Sequence, residues 1–293
     1  MSEAAAVQQF EREFQRQRAS GLLVRVIVLA VLVALFAVAA RVSEFSPLRL
    51  IDGFPQMGRF FTFFLPHLDP QVLTANEKTE GSFLYWMYAW DIWGWALLQS
   101  INMAVLATLA SIVSGFSLAV ISARNLGAPV WISFLAQRFA DILRTLPDLV
   151  LAMIFVIAFG IGPFAGLLAI WLHATGALGK LYGEVIENIN MNQVEGLRGA
   201  GASWLQCVRF GVVPQVLPNV ASYGLLRFEV NVGAAAAIGF VGGGGIGQEF
   251  VQAMQSGGLQ LQDASAILAM IIVVIFAIDL LSERIRHQLI GAI

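Results

Sequence analysis

Cysteine, histidine and charge are all scarce in this sequence. Its 293 residues include one cysteine, three histidines and only 12% charged residues, and the net charge is −2. The lone Cys207 excludes an internal disulfide framework and leaves too few thiols for a metal cluster. The histidines, His67, His173 and His287, lack the His-Glu-x-x-His spacing of a metallohydrolase, and no Walker sequence for nucleotide binding occurs. We therefore expect neither an enzyme nor an ATPase, no cofactor or metal in this chain, and no nucleic-acid partner.

Long apolar runs are what the sequence has in abundance. Hydrophobic residues make up 58% of the chain and the mean hydropathy is +0.76, more than one soluble core can hide. Since a span needs roughly 20 apolar residues, about six spans fit the length. The first run lacks a small-residue cleavage site and is expected to remain as a span. The predicted class is an all-α membrane protein, with spans at residues 22–40, 95–122, 146–161, 163–182, 216–240 and 264–281.

Lysine and arginine fall mainly before the first span, between the second and third, between the fourth and fifth, and after the sixth. Positively charged loops remain in the cytoplasm. Both termini are therefore predicted to be cytoplasmic in a multi-pass bacterial inner-membrane protein. The expected organisation is a cytoplasmic segment 1–21, a first span and extracytoplasmic loop 22–94, a core 95–283 and a cytoplasmic tail 284–293.

The loop between the first two spans is rich in aromatic residues. It contains FFTFFLPHLDP and FLYWMYAWDIWGW, both next to a span. Tryptophan and tyrosine prefer the headgroup level of a membrane. This pattern predicts an interfacial helix and an aromatic belt, with a ligand-binding aromatic cage as the alternative.

A polar, glycine-rich segment, VEGLRGAGASWLQCVRFGVVP, occupies residues 194–214 between the fourth and fifth predicted spans. Its glycines, Gly199, Gly201 and Gly211, are expected to break a long spanning helix. The apolar residues recur at helical spacing and predict a short amphipathic helix, a turn and a second short helix along the membrane face. The apolar side needs lipid headgroups or a docked soluble protein as its partner. Those apolar residues are Trp204, Leu205, Val208 and Phe210.

The spacing of Glu195, Gly201 and Pro214 resembles the cytoplasmic coupling loop of permease subunits in ATP-driven importers. In that family the loop inserts into a groove on the ATPase. This chain departs from the family pattern at Gly196, Leu197 and Gly211. The resemblance implies that the contact with the ATPase is made by Glu195, Arg198, Gly199, Gly201 and Pro214.

The flanking stretches 144–190 and 226–247 look like the phosphonate-type permeases of the same superfamily, and the resemblance covers residues 95–283. One departure is Gly233, where an arginine is expected. The resemblance implies a five-helix permease core of the type I ABC importers with a cytoplasmic coupling helix. It further implies a second permease copy in a homodimer, two ATPase subunits that bind ATP and Mg, and an extracytoplasmic phosphonate-binding protein. The expected cargo is a phosphonate, with phosphite or phosphate close behind.

Charged residues inside a span are costly and indicate function or pairing. Arg227, Glu229 and Asn231 cluster in the fifth predicted span. Residues two apart on a helix do not share a face, so Arg227 and Glu229 are expected to meet different helices. Arg227 either contacts a transported oxyanion through its planar guanidinium or forms a structural ion pair, across helices or across the seam between two permease copies. For His173, a hydrogen-bonded packing role is favoured over a proton relay.

The glycine run VGGGGIG, residues 241–247, follows the fifth predicted span. It lacks the lysine and hydroxyl residue of a phosphate-binding loop. Glycines permit close backbone approach and a sharp bend, which predicts a turn between the last two spans as part of an outer gate. The predicted gate glycines are Gly242, Gly243, Gly244, Gly245 and Gly247.

Three other kinds of transporter remain open on the sequence alone. An ion-coupled secondary carrier also contains broken helices, although such folds often show two related halves, and the sequence has no convincing internal repeat. A passive channel would transport without any ATPase. An ABC permease for an unrelated small solute would share the coupling loop but not the cargo.

Overall fold

The computed structural model describes residues 3–256 and 261–290, and in those ranges the chain folds into helices joined by turns. Among the described residues, five helices are long and apolar enough to cross a membrane, and a bent pair makes a sixth span if the pair is counted as one. This confirms the predicted all-α membrane class with about six spans. The helices are α1 (Glu3–Val42), α2 (Pro47–Phe64), α3 (Phe83–Trp86), α4 (Trp90–Ser122), α5 (Val130–Thr145), α6 (Asp148–Phe159), α7 (Pro163–Glu187), α8 (Met191–Gly199), α9 (Trp204–Gln206), α10 (Val213–Ile238), α11 (Ile246–Ser256) and α12 (Leu261–Ile290).

The chain divides into two compact units, Met1–Thr62 and Phe63–Ile293. The first unit contains α1, whose segment Val24–Val42 has a mean hydropathy of 2.4 and buries none of its residues. An apolar helix with no buried side chain is suited to lipid contact on all sides. Its companion α2 leaves large apolar side chains such as Phe54 exposed. A helix therefore exists where the interfacial helix was expected, and its position at the membrane surface stays a prediction.

The core of the second unit is the contact between α4 and α7, with α10 packed against both. Small residues let these helices approach closely, as membrane helices generally require. A Cβ atom added to Gly115 of α4 would lie 3.0 Å from the Leu178 Cβ and 3.1 Å from the Gly179 nitrogen of α7. Ala104, on α4, is fully buried. These three helices form the scaffold on which the functional segments are mounted.

The span expected at residues 146–161 is wrong in its extent. Only α6 occupies it, and α6 has 12 residues, or roughly 18 Å, which is short of a hydrocarbon core of about 30 Å. It is instead one arm of a broken pair, because α5 and α6 meet at 88°. Pro147 explains the break, since the residue before a proline avoids helical dihedrals, and Leu146 is extended with ψ 121°.

The second short helix expected along the membrane face is also wrong. α9, a π-helical stretch Cys207–Val212 and α10 form one continuous helical segment, Trp204–Val241. Gly211 does not break this helix and lies buried within it. Pro214 lies inside this continuous segment, directly after the π-helical stretch, at the point where the helix returns to α-helical geometry. The fifth span is therefore longer at its start than predicted.

The turn expected between the last two spans contains a further helix, α11, that was not predicted. At the same end of the molecule α3 is tied to the start of α12, because the indole Nε1 of Trp86 donates to the Gln262 carbonyl at 3.1 Å. The hydroxyl of Tyr88 donates to Asp263 at 3.1 Å. Burial, and then the charge of Asp263, raises the pKa of Tyr88. These two side chains join parts of the chain that are 176 and 175 residues apart.

Candidate functional site

The segment expected to couple to an ATPase contains α8 and a tight turn. Asn190 caps α8, its side chain accepting a hydrogen bond from the Asn192 N–H at 3.0 Å, a favoured arrangement at a helix start. The turn after α8 places Gly201 at φ +83°, a conformation that glycine adopts without steric cost. The Ala202 N–H then donates to the Leu197 carbonyl at 3.0 Å. α8 is therefore a short helix whose two ends are both fixed by hydrogen bonds.

One side of α8 is buried in the permease core. Val194 is fully buried in a cluster that includes Tyr182 and Val212. Gly211 allows this approach, because a Cβ there would lie 3.1 Å from both Val194 and Leu197. The role of Gly211 is thus close packing against α8. This explains why it sits inside the helix where a break was expected.

Two hydrogen-bonded braces hold α8 to the ends of the spans. The Arg198 guanidinium donates to the Leu126 carbonyl at 2.9 Å, joining α8 to the connection between α4 and α5. Asn125, in the same connection, donates through its Nδ2 to the Ile186 carbonyl of α7 at 2.8 Å and to the Met191 sulfur of α8 at 3.4 Å. Sequence reasoning missed Asn125 because its partner is 61 residues away and no local pattern marks the pair. A displacement of α8 is therefore expected to move the adjoining ends of α4, α5 and α7 as well.

The opposite side of this segment is free. Glu195 is exposed and makes no hydrogen bond or ion pair with any residue that the structure describes. Leu205 is 71% exposed and Phe210 58% exposed. Gly199 and Gly201 are exposed too, and a Cβ added to either glycine would meet no atom within 4 Å. An exposed carboxylate beside large exposed apolar groups is a surface suited to a partner.

The polar residues of the fifth span point to different neighbours. Asn231 is fully buried and its Nδ2 donates to the Thr108 hydroxyl of α4 at 2.9 Å. Glu229 forms an ion pair with Arg286 of α12 at 2.8 Å. The structure therefore places Glu229 and Asn231 in contacts between spans.

Arg227 is different from its two neighbours. Its Nε is buried without a hydrogen-bond partner, and no carboxylate of the described chain lies within ion-pair distance of it. Asp148, at the start of α6, exerts an electrostatic attraction on the guanidinium from farther away. Glu229 thus contacts α12, and the surface that Arg227 lines stays a prediction. The structural ion pair considered for Arg227 is not found among the described residues.

The predicted gate glycines draw three helix ends together. The Gly162 N–H before α7 donates to the Gly242 carbonyl at 2.9 Å. The N–H of Ile246 donates to the Ser100 hydroxyl of α4 at 2.9 Å. Any Cβ on Gly247 would overlap the Ala236 carbonyl oxygen. Gly243 lies close to Ile238, and Gly244 lies close to Pro163. The N–H of Gly245 donates to the Gln99 side chain.

His173 lies on α7 beside the break between α5 and α6. Its Nδ1 is 2.9 Å from the Leu146 carbonyl oxygen. Leu146 precedes the proline and leaves the helix there, so the carbonyl is available to a side chain. This contact fits the packing role expected for the histidine.

A groove runs between α7 and α10 above α8. It encloses a cavity of about 510 Å³ lined mainly by polar side chains, among them Glu184, Asn188, Asn219 and Tyr223. Sequence reasoning missed this groove because its two walls are separated by the whole of α8. The residues that line the groove share no sequence motif, and only the four-residue spacing of the polar residues on α10 could have indicated the groove.

Known proteins resemble the chain over most of its length. The family described as binding-protein-dependent transport system inner membrane component matches residues 115–289. The phosphite transport system permease protein PtxC of Stutzerimonas stutzeri is 34% identical over 67% of this chain and 70% of its own length. PhnE2 of Escherichia coli strain K12, named for a cryptic phosphonate transport system, is 44% identical over 42% of this chain and 100% of its own length.

Solved structures of transporter subunits have the same fold. An inward-facing MetNI methionine ABC transporter gives a TM-score of 0.58 at 20% identity, covering 67% of this chain and 95% of that chain. An amino acid ABC transporter crystallised with histidines gives 0.55 at 17% identity, covering 71% and 98%. At these identities the likeness concerns the fold alone. It confirms the permease fold expected from the resemblance.

Proposed function

The chain belongs to the family of binding-protein-dependent transport system inner membrane components, and from that premise we propose that it is the permease of an ATP-driven importer of phosphorus oxyanions. The proposed cargo is phosphonate, phosphite or phosphate. Two relatives named for phosphite and phosphonate transport support this cargo. The unpaired Arg227 in the fifth span adds a physical reason, because a guanidinium matches the oxygens of such anions.

The proposed coupling contact is the free face of the segment that carries α8. The observation that carries it is the contrast between the two sides of that segment. On α8 itself, Val194 is fully buried in the permease core, whereas the adjacent Glu195 is exposed. A short helix fixed on one side and exposed on the other can transmit a rigid-body movement without stretching. Glu195, Arg198 and Gly201 are the residues proposed to set its docking on the ATPase.

The proposed assembly contains a second permease copy, two ATPases that bind ATP and Mg, and an extracytoplasmic binding protein. Family membership supports the binding protein, since dependence on it is part of the family description. Both termini are proposed to be cytoplasmic, because the lysine and arginine distribution favours it. A closely related permease in place of the second copy is the competing arrangement. The mass of the purified complex and the identity of its chains distinguish the two.

The test is transport by the purified permease, co-expressed with its ATPases and binding protein and placed in proteoliposomes. Phosphonate, phosphite and phosphate are supplied one at a time, with glycine betaine as a control that has no phosphorus oxyanion. We expect ATP hydrolysis and uptake to rise together with one or more of the phosphorus oxyanions. Stimulation by glycine betaine alone would contradict the proposed cargo.

The same vesicles separate this function from an ion-coupled carrier. Uptake is expected to require ATP inside the vesicles where the ATPases lie, and to persist when the membrane potential is removed. The family match favours this outcome. Uptake without ATP that collapses with the potential would contradict it.

A further inference from the structure

The groove between α7 and α10 is polar although both of its walls belong to membrane spans. Glu184 of α7 and Asn188, the residue after α7, line a cavity of about 510 Å³ together with Asn219 and Tyr223 of α10. Lipid cannot satisfy carboxylate, amide and hydroxyl groups, so such groups face water or protein inside the membrane. We therefore expect the groove to face water or protein in the assembled transporter.

The polar residues on the α10 wall form one line. Gln215, Asn219 and Tyr223 line the cavity at four-residue intervals, and Arg227 lies one further turn along α10, where it neighbours Tyr223 on the helix surface. From Gln215 to Arg227 the line extends roughly 18 Å at a rise of 1.5 Å per residue. It leads from the end of α10 near α8 to Arg227 in the interior of the span.

The upper part of this line has unused hydrogen-bond donors. Within the described ranges, the side chains of Asn219 and Tyr223 make no hydrogen bond, and the buried Nε of Arg227 has no partner. By contrast, Glu229 on the other wall of α10 is paired with Arg286 at 2.8 Å. On one side of α10 the charge of Glu229 is therefore paired, and on the other side the donors of Asn219, Tyr223 and Arg227 have no partner among the described residues.

The lower end of the line is connected to α8. Gln215 accepts a hydrogen bond from the Asn190 N–H at 3.0 Å and donates to the Asn190 carbonyl at 3.2 Å. Asn190 is the residue that caps α8. A movement of α8 is therefore transmitted to the floor of the groove through one side chain.

We propose that Arg227, Tyr223 and Asn219 bind the transported oxyanion in turn during its passage into the cell, a role that rests on the proposed function. Arg227 receives the anion through its guanidinium, and the neutral donors of Tyr223 and Asn219 pass it toward the α8 end. Neutral donors hold an anion less tightly than a cation does, which suits a path that must release its cargo.

The first experiment tests access to the groove, and it uses the fact that the chain has a single cysteine. In a Cys207→Ala background, Asn219→Cys and Tyr223→Cys are made, with Leu217→Cys as the control, since Leu217 is 57% exposed on the same helix. Each is assembled with the ATPases and binding protein in proteoliposomes and treated with methanethiosulfonate ethylsulfonate, an anion that does not cross membranes.

The path is supported if the cysteines at positions 219 and 223 react rapidly and the cysteine at position 217 does not react. The reaction at position 223 should also become slower when phosphite is transported. Equal reaction at 217 and 219 would overturn the proposal. The proposal would also be overturned if the cysteines at 219 and 223 did not react and instead formed disulfides between two permease copies. The groove would then be a water-free interface between the two copies.

The second experiment measures uptake kinetics of phosphite. Arg227→Gln is expected to lower uptake at least about tenfold, the effect of losing a charge-assisted hydrogen bond, and Arg227→Lys is expected to lose less. Arg59→Gln, in the first unit, serves as the control and is expected to leave uptake unchanged. Binding-protein-stimulated ATP hydrolysis shows that each variant still assembles.

Tyr223→Phe is a second variant, which keeps the test possible if Arg227→Gln does not fold. It is expected to raise the KM for phosphite, and its control, Tyr85→Phe, is expected to leave the KM unchanged. Unchanged kinetics in both Arg227→Gln and Tyr223→Phe would overturn this inference and leave the proposed function standing. If the unaltered transporter imports none of the phosphorus oxyanions, the proposed function itself fails. The two failures are therefore distinguishable in one set of vesicles.

Discussion

The two ends of α7 and α10 differ in how they are closed. At one end, the glycine turn brings backbone against backbone, as where the Gly162 N–H meets the Gly242 carbonyl at 2.9 Å. At the other end, the helices diverge into a polar groove, and α8 is held by side-chain hydrogen bonds such as Arg198 to Leu126. Backbone packing leaves no room for small adjustments, whereas side-chain contacts can be exchanged. We infer that the glycine end acts as the fixed pivot and the α8 end as the part that moves.

The largest expected effect comes from filling the glycine end. In Gly239→Ala the new Cβ would lie 2.5 Å from the Gln248 nitrogen and 2.6 Å from the Gly247 backbone, atoms that cannot move aside without shifting α11. We expect a loss of about 1–3 kcal/mol or more in stability, as overpacking usually produces. Thermal unfolding in detergent measures it.

Gly233→Ala is the matched control for that substitution. Gly233 lies inside α10 with nothing within 4 Å of an added Cβ. Replacing a helical glycine by alanine is expected to be neutral or to stabilise by up to about 1 kcal/mol. Equal loss in both variants would contradict the view that close backbone approach defines the glycine end.

The second largest effect is expected at the turn after α8. Gly201→Asp places a charge on the free face, where no described residue beyond the chain neighbours has an atom within 4 Å of the new Cβ. The φ of +83° strains any side chain there, so the comparison with an uncharged side chain isolates the effect of the charge. The permease is expected to remain in the membrane while ATP hydrolysis continues without uptake. Gly201→Asn, nearly the same size and uncharged, is expected to retain more uptake. Normal uptake in Gly201→Asp would rule out this turn as part of the coupling contact.

A smaller effect is expected from the brace between α8 and the spans. Arg198→Gln removes the donor to the Leu126 carbonyl, a bond to a charged group worth about 1.5–3 kcal/mol. We expect more ATP hydrolysed for each phosphite transported, with Arg198→Lys intermediate. An unchanged ratio of hydrolysis to uptake would show that this brace does not transmit the movement.

The smallest effect is expected where α7 and α10 touch just above the groove. The buried Tyr182 hydroxyl donates to the Val220 carbonyl at 3.0 Å. Tyr182→Phe removes one neutral hydrogen bond, so we expect a loss of about 1 kcal/mol in stability and little change in transport. A large drop in uptake without a change in thermal stability would mean that this contact belongs to the moving part.

The sequence predicted the spans well because the membrane demands long apolar runs, and such runs are visible without a structure. It did not predict that Pro147 separates α5 from the short helix α6, because apolar composition continues across this proline. It missed α11, whose run IGQEFVQAMQS is too polar and short to stand out. The long-range contacts of Asn125 and Gln215 were beyond reach, since only the fold brings their partners near.

The candidate site was predictable in part. The family-like spacing of Glu195, Gly201 and Pro214 located the segment, and the rule that residues two apart diverge predicted different neighbours for Arg227 and Glu229. The sequence could not show that Gly211 serves close packing, because that depends on where Val194 lies in three dimensions. Nor could it show which side of α8 is free.

The most direct test of the coupling claim is whether the ATPase covers the free face of the α8 segment. In the Cys207→Ala background, Leu205→Cys is treated with a maleimide in inside-out vesicles, with and without the ATPase subunits, and Val130→Cys, at an 86% exposed position, is the control. The account predicts that the ATPase protects position 205 and leaves position 130 reactive. Equal reactivity of position 205 with and without the ATPase, or reaction only from the extracytoplasmic side, would contradict it.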